Sequence, residues 1–168
     1  VVSTVMCNLG FTKAMEAAGI DVIQTQVGDR YVLQQLREGG YVLGGEQSGH
    51  MIFLKHNSTG DGLITACQFL SACLRKGGAV SEVASVMQRF PQELINVKVT
   101  DKHAVTGNDA VAKAIEAGSE KLGDSGRILV RPSGTEPLVR VMVEAPTSEQ
   151  AHEVAAEIAE VIEKELGL

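Results

Sequence analysis

The residues best suited to chemistry lie in a loop between two predicted strands, Arg131-Pro132-Ser133-Gly134-Thr135-Glu136-Pro137. Proline fixes one backbone angle and glycine permits an unusual one, so successive N–H groups of the loop can converge on an anion. The two hydroxyls add donors, and Arg131 and Arg140 add planar guanidinium groups that match phosphate oxygens. The predicted phosphate-binding residues are Arg131, Ser133, Gly134, Thr135 and Arg140.

The strand after this loop alternates valine with other residues. Val139, Val141 and Val143 are therefore predicted to face the core, and Arg140 to point away from it. The alternative is an ordinary proline-glycine hairpin whose arginines pair with Glu136 and Glu144. A nucleotide-type phosphate loop is excluded, because the motif G-x-x-x-x-G-K-[ST] is absent.

A second candidate is the loop Gly44-Gly45-Glu46-Gln47-Ser48-Gly49-His50, in a region that holds 8 of the 18 glycines, residues 28–62. The Glu46 carboxylate can accept from two neighbouring hydroxyls and Ser48 can both donate and accept, which suits a sugar. A glycine turn with solvated polar residues explains the same pattern equally well. No metal site is predicted, because the nearby histidines and carboxylates match no known ligand spacing.

Composition limits the classes of partner. The chain has 168 residues, 44% hydrophobic and 21% charged, with a net charge of −6. The acidic balance argues against nucleic acid, and the absence of a long apolar run argues against a membrane span. The cysteines (Cys7, Cys67 and Cys73) match no zinc or redox motif, which favours the reducing cytoplasm. The chain opens on Val-Val-Ser-Thr-Val without methionine, which indicates a piece of a longer protein.

The elements that must position these loops differ between two halves that meet at Phe90-Pro91. Residues 1–90 carry 7 basic and 7 acidic residues, whereas residues 91–168 carry 8 and 14. The first half alternates strands with helices, which predicts an α/β layer with a largely parallel sheet. Its predicted strands are residues 1–5, 21–26, 41–43 and 51–54, and its predicted helices are residues 11–18, 31–37, 63–74 and 81–88.

The second half has the order strand, helix, strand, strand, helix, which predicts a small antiparallel sheet with helices on one face. The predicted strands are residues 94–99, 127–131 and 138–144, and the first helix is residues 109–122, where Gly118 weakens the last turn. The final helix has an apolar face and a solvated acidic face. Thr147 and Gln150 form its predicted capping box, and Gly167 ends it.

Three motifs in one order give the chain a family resemblance: Val27-Gly28-Asp29-Arg30-Tyr31-Val32, the loop at residues 44–50, and the loop at residues 131–137 with Arg140. Together they resemble the motifs of the α-D-phosphohexomutase superfamily. With Gln47, the loop at residues 44–50 resembles that of the branch that acts on glucosamine phosphates. The resemblance implies a four-domain enzyme. Residues 1–90 would be its third domain, a three-layer α/β domain with a mixed sheet and the sugar-binding loop. Residues 93–168 would be its fourth, a small α+β domain of TATA-binding-protein-like fold with an antiparallel sheet and the phosphate-binding loop.

The resemblance also implies residue roles. Glu46 and Ser48 would hold sugar hydroxyls, with Gly28 and Asp29 near the ligand. The five residues of the phosphate site would hold the phosphate that is not transferred. The phosphoserine loop and the magnesium loop of the family are absent from this sequence, so no catalytic or metal residue is expected here and the chain is expected to be inactive alone. Mg²⁺ is expected in the missing N-terminal domains.

For the whole protein the resemblance implies a cytoplasmic isomerase that works on the route to cell-wall precursors, with a homodimer as one possible assembly. It would interconvert glucosamine 6-phosphate and glucosamine 1-phosphate through a bisphosphate intermediate, and its partner would be a phosphosugar rather than nucleic acid or membrane. Two alternatives stay open. One is a phosphomannomutase/phosphoglucomutase, and the other is a phosphosugar-binding module without catalysis.

Overall fold

Seven strands form two separate sheets in the computed structural model, which describes residues 1–168. The chain divides into two units, Val1–Arg89 and Phe90–Leu168, and each unit contains one sheet. The first sheet is mixed and the second is entirely antiparallel. The predicted fold class, a mixed α/β sheet followed by an antiparallel α+β sheet, is therefore confirmed.

The first unit has a four-stranded sheet in the order β2-β1-β3-β4. The strands are β1 (Val2–Thr4), β2 (Ile23–Thr25), β3 (Leu43–Gly45) and β4 (Met51–Phe53); the helices are α1 (Leu9–Ala17), α2 (Asp29–Glu38), α3 (Gly62–Lys76) and α4 (Val80–Ala84). β1 is parallel to β2 and β3, whereas β4 is antiparallel to β3. The short loop from β3 to β4 imposes that antiparallel pairing, because a parallel neighbour needs a crossover of about a dozen residues or more.

The first unit buries a small aliphatic core between α2 and the sheet. Its fully buried members are Val2, Val32, Leu36 and Ile52. Val32 and Leu36 are four residues apart, so both lie on the face of α2 that covers β1 and β3. This packing fixes α2 over the strand that leads into the loop at residues 44–50.

Element boundaries in the first unit differ from the predicted ones where a cap or a neighbouring strand decides them. α1 begins at Leu9, because the Asn8 side chain accepts a hydrogen bond from the Gly10 N–H at 3.0 Å and caps the helix. α4 is shorter than predicted and ends at Ala84. β3 lies two residues later than predicted, because Gly44 pairs with β1 and Gly45 with β4.

The second unit has a three-stranded sheet in the order β5-β7-β6. The strands are β5 (Gln92–Lys98), β6 (Arg127–Pro132) and β7 (Leu138–Glu144); the helices are α5 (Asp109–Leu122) and α6 (Ser148–Leu166), with 3-10 helices at Lys102–Val105 and Gly123–Ser125. The three β7 valines belong to a core that also contains Val111, Ile158 and Ile162 of the helices. Both helices thus cover one face of the sheet, as predicted.

Gly118 does not break α5, which continues to Leu122. A Cβ atom at this position would lie 2.9 Å from Ile128 Cδ1 and 3.0 Å from Val154 Cγ1. Glycine therefore allows α5 to approach both β6 and α6 closely. This packing outweighs the low helix propensity of glycine, on which the predicted weakness of the last turn rested.

Replacing Thr147 with alanine should destabilise the second unit by about 1 kcal/mol. The Thr147 Oγ1 accepts a hydrogen bond from the Gln150 N–H at 3.2 Å and satisfies one free donor at the start of α6. Urea unfolding monitored by circular dichroism measures the effect. Thr106→Ala is the matched control, because the exposed Thr106 hydroxyl makes no hydrogen bond. Equal stability of the two variants would contradict the assigned cap.

The helices of the structure differ from membrane-spanning segments. None of them combines the length and the hydrophobicity that crossing a bilayer requires.

Candidate functional site

Two arginines lie side by side on the face of the second sheet that α5 and α6 do not cover. The β6–β7 register places Arg131 directly opposite Arg140, on the face away from the valine core. Directly opposite residues of antiparallel strands have Cβ atoms about 4.5–5.5 Å apart, and like charges there repel. Burial lowers the pKa of Arg131, and the positive charge of Arg140 lowers it further. Since arginine stays protonated in proteins, the pair is a concentrated positive charge that an anion would relieve.

The donors of this pair are only partly used by the protein. Arg140 Nη2 donates to Glu136 Oε2 at 3.3 Å, in an ion pair whose glutamate is largely exposed. Arg140 Nε is buried and has no hydrogen-bond partner. Glu144 pairs with Arg127 rather than with Arg131. The hairpin alternative therefore describes only the Glu136 contact, because Arg131 has no carboxylate partner.

The backbone of the loop at residues 131–137 leaves two donors free. The Ser133 N–H donates to the Leu138 carbonyl at 2.9 Å, and the Glu136 N–H donates to Ser133 Oγ at 3.3 Å. The predicted phosphate residue Ser133 is thus buried in the turn, with 2% exposure, and its Oγ accepts a hydrogen bond within the loop. The N–H groups of Gly134 and Thr135 donate to no protein atom, and both residues are exposed. Adjacent free N–H groups beside two guanidinium groups are hydrogen-bond donors that an anion could use.

A third cation contacts the same loop and was missed by the sequence reasoning. Lys102 begins the 3-10 helix Lys102–Val105, and its Nζ donates to the Ser133 carbonyl at 2.7 Å and to the Gly134 carbonyl at 3.3 Å. The two partners are 31 and 32 residues away in the chain. No periodicity or motif around Lys102 indicates such a contact, so only the tertiary structure identifies it.

In the first unit, the loop at residues 44–50 brings Glu46 onto the start of α2. Glu46 Oε1 accepts a hydrogen bond from the Gly28 N–H at 2.9 Å, and the Glu46 side chain is 11% exposed. Gly28 is the N-cap of α2 and has a φ of 133°, a conformation that favours glycine. The positive end of the helix dipole stabilises a carboxylate at this place. Two of the predicted sugar-site residues, Glu46 and Gly28, are therefore in direct contact.

The other two predicted sugar-site residues lie in the open. Ser48 and Asp29 are exposed, and Ser48 Oγ lies 3.3 Å from His50 Nδ1. The Glu46 N–H donates to the His50 carbonyl and the Gly49 N–H to the Glu46 carbonyl, which closes the turn. This side of Glu46 thus has a hydroxyl and an imidazole within reach of solvent. It can offer acceptors and donors to a polyhydroxylated ligand.

A cavity of about 450 Å³ in the first unit lies against the loop at residues 44–50. Its lining is mostly apolar and includes Val2, Phe11 and Leu43, together with Glu46 and Gln47 of the loop. Among the predicted sugar-site residues, Glu46 therefore lines this cavity and Ser48 does not.

The acidic, histidine and cysteine side chains of the chain are spread apart. No three of them lie close enough together to hold a metal ion.

Comparison with known proteins identifies the family. The family model "Phosphoglucomutase/phosphomannomutase, alpha/beta/alpha domain III" matches residues 1–90, and the model "Phosphoglucomutase/phosphomannomutase, C-terminal domain" matches residues 94–161. Phosphoglucosamine mutase of Bacillus licheniformis is 56% identical over 167 residues, which is 99% of this chain and 37% of that protein. The phosphoglucosamine mutase of Staphylococcus carnosus is 54% identical over 168 residues, again with 37% of that protein covered. The chain thus spans little more than a third of the length of these relatives.

Solved structures show the same fold at low sequence identity. Aspergillus fumigatus N-acetylphosphoglucosamine mutase in complex with GlcNAc-6P and magnesium matches 97% of this chain and 38% of that chain, with a TM-score of 0.81 and 19% identity. A serine-to-alanine variant of the Aspergillus fumigatus enzyme, in complex with glucose 1,6-bisphosphate, matches 100% of this chain and 39% of that chain, with a TM-score of 0.81 and 18% identity. Together with the two family models, which cover most of the sequence, these likenesses lead to one conclusion: the chain belongs to the phosphoglucomutase/phosphomannomutase family and corresponds to its domain III and its C-terminal domain.

Proposed function

We propose that this chain is the part of a phosphoglucosamine mutase that holds the substrate. The whole enzyme would interconvert glucosamine 6-phosphate and glucosamine 1-phosphate through a bisphosphate intermediate. The observation that carries the proposal is the set of unused donors at the loop of residues 131–137. They are the Arg131 guanidinium, Arg140 Nε and the N–H groups of Gly134 and Thr135. Relatives named phosphoglucosamine mutase at more than 50% identity support the choice of sugar.

The two loops would divide the work of binding. Arg131, Arg140 and the free N–H groups hold the phosphate that is not transferred, by charge-assisted hydrogen bonds. Glu46 and Ser48 hold sugar hydroxyls, with Gly28 fixing the orientation of the Glu46 carboxylate and Asp29 at the rim. A bisphosphate that must bind in two orientations needs one fixed phosphate clamp and hydroxyl contacts that tolerate both. We further propose that residues 1–90 act as the sugar-binding domain and residues 93–168 as the phosphate-binding domain.

The phosphoryl transfer itself would use residues outside this chain. A serine hydroxyl needs an adjacent base or a carrier loop to become a phosphoryl carrier. Neither Ser3 nor Ser58 has such a partner. Ser3 Oγ donates to the Gly45 carbonyl instead. A magnesium ion, which a structural relative contains, would have its ligands elsewhere in the complete enzyme. We therefore expect the isolated chain to bind phosphosugar without turning it over.

Replacing Glu46 with glutamine should weaken binding of glucosamine 6-phosphate by about tenfold or more and leave binding of inorganic phosphate unchanged. A hydrogen bond to a charged group contributes about 1.5–3 kcal/mol, and glutamine keeps the acceptor for the Gly28 N–H while losing the carboxylate. NMR titration of the purified chain measures both affinities. Glu16→Gln removes the same charge from an exposed site and should change neither.

Two outcomes of this titration would contradict the assignment. If inorganic phosphate changes the NMR shifts of the amides of residues 44–50 instead of those of residues 131–140, the phosphate-binding and sugar-binding roles of the two loops are exchanged. If the chain binds neither ligand, the proposed function fails.

Turnover of glucosamine and mannose phosphates by the full-length protein decides between this proposal and a phosphomannomutase/phosphoglucomutase.

A further inference from the structure

Lys102 differs from the two arginines near the loop at residues 131–137. Its ammonium group contacts backbone carbonyls of the loop. Its Nζ donates to the carbonyls of Ser133 and Gly134, at 2.7 and 3.3 Å. It forms no ion pair, and the carboxylate of its neighbour Asp101 accepts from the His103 N–H instead. A half-buried ammonium group bound only to two carbonyls fixes the position of those carbonyls.

The orientation of those carbonyls decides where the free donors point. In a trans peptide the C=O and the following N–H lie in one plane and point in opposite directions. The Ser133 carbonyl shares its peptide group with the Gly134 N–H, and the Gly134 carbonyl shares its own with the Thr135 N–H. Holding both carbonyls on the Lys102 side therefore turns both N–H groups to the other side. These are the two N–H groups that have no protein partner.

We propose that Lys102 is a positioning residue that orders the loop before the phosphate arrives. The inference rests on the proposed phosphate-binding role of this loop. Without Lys102, nothing in the protein holds the peptide groups of residues 133–135 in this orientation except the turn contacts of Ser133. Glycine at position 134 gives the free loop many other conformations, and the ligand must then bear the cost of selecting one.

The experiment compares the full chain with its Lys102→Met and Lys102→Arg variants. Nitrogen-15 relaxation measures the backbone order parameters of Gly134 and Thr135 in the absence of ligand. We expect order parameters of about 0.85 in the parent and below about 0.6 in Lys102→Met. The affinity for inorganic phosphate and for glucosamine 6-phosphate should fall about tenfold. Lys102→Arg, which can donate to both carbonyls, should restore both the order and the affinity.

A charge control separates positioning from simple attraction. Lys98→Met removes an equal charge from the exposed end of β5 and should leave the order parameters of the loop unchanged. A fall in affinity without a fall in order would mean that Lys102 acts by its charge, and would overturn the inference. Loss of order without loss of affinity would overturn it as well. If Lys102→Met does not fold, Lys102→Leu, which also lacks a donor, supplies the same comparison.

The failure of this inference differs from a failure of the proposed function. If the parent chain binds neither ligand, the proposed function is overturned and the inference falls with it. If the parent binds phosphate and Lys102→Met binds it equally well with an equally ordered loop, the inference alone is overturned.

Discussion

Replacing Arg131 with methionine should lower the affinity for inorganic phosphate by about tenfold or more and leave the stability of the second unit unchanged or higher. Each hydrogen bond to a charged group contributes about 1.5–3 kcal/mol, which corresponds to about 10- to 150-fold in affinity. The stability expectation follows from the surroundings of the guanidinium. Arg131 has no carboxylate partner and lies opposite Arg140, and its burial and that neighbour both lower its pKa. Removing it relieves a repulsion that a bound phosphate would otherwise relieve.

Isothermal titration calorimetry with inorganic phosphate measures the affinity, and thermal unfolding of the same samples measures the stability. Lys113→Met is the matched control, because Lys113 is exposed on α5, which packs on the opposite face of the sheet. It removes an equal charge and should change the affinity much less. A marked loss of stability in Arg131→Met would mean that this arginine supports the fold, and the assignment of a ligand-binding role would then be wrong.

The placement of Arg131 beside Arg140 could be predicted from the sequence because its information is local. Strand alternation placed the β7 valines on one face and Arg140 on the other, and the short loop brought Arg131 beside it. Lys102 could not be predicted in this way. Its contact joins a 3-10 helix to a hairpin 31 residues later, and neither periodicity nor a motif encodes such a pairing.

The loop at residues 44–50 was harder to place, because its strand contains residues that disfavour strands. The predicted strand at residues 41–43 followed the tyrosine, valine and leucine, whereas β3 contains Gly44 and Gly45. A Cβ atom at position 44 would lie 2.7 Å from Val32 Cγ1, so α2 can cover this strand only because the side chain is missing. Tertiary packing thus overrides local propensity here. The same packing brings the start of α2 within hydrogen-bond distance of Glu46.

Replacing Arg127 with methionine should have the largest effect on stability, lowering the free energy of unfolding of the second unit by about 3–5 kcal/mol. Arg127 Nη2 lies 2.8 Å from Glu144 Oε2, Arg127 Nε donates to the same oxygen at 3.1 Å, and the Glu144 side chain is 0% exposed. Removing the guanidinium takes away the cation that pairs with the fully buried Glu144 carboxylate. Glu144→Gln should cost less, because the Arg127 side chain keeps 20% exposure and can reach water.

Guanidinium chloride unfolding of the single variants and of Arg127→Met/Glu144→Leu tests the cause of the loss. The double variant replaces both charges with apolar groups, a change that is often neutral for a buried pair, so it should recover most of the stability that Arg127→Met loses. Because this pair lies at the far end of β6 and β7 from Arg131 and Arg140, the double variant should bind phosphate as the parent does. If the double variant is as unstable as Arg127→Met alone, the side chains contribute by packing, and the loss of the cation beside Glu144 is not the cause of the loss.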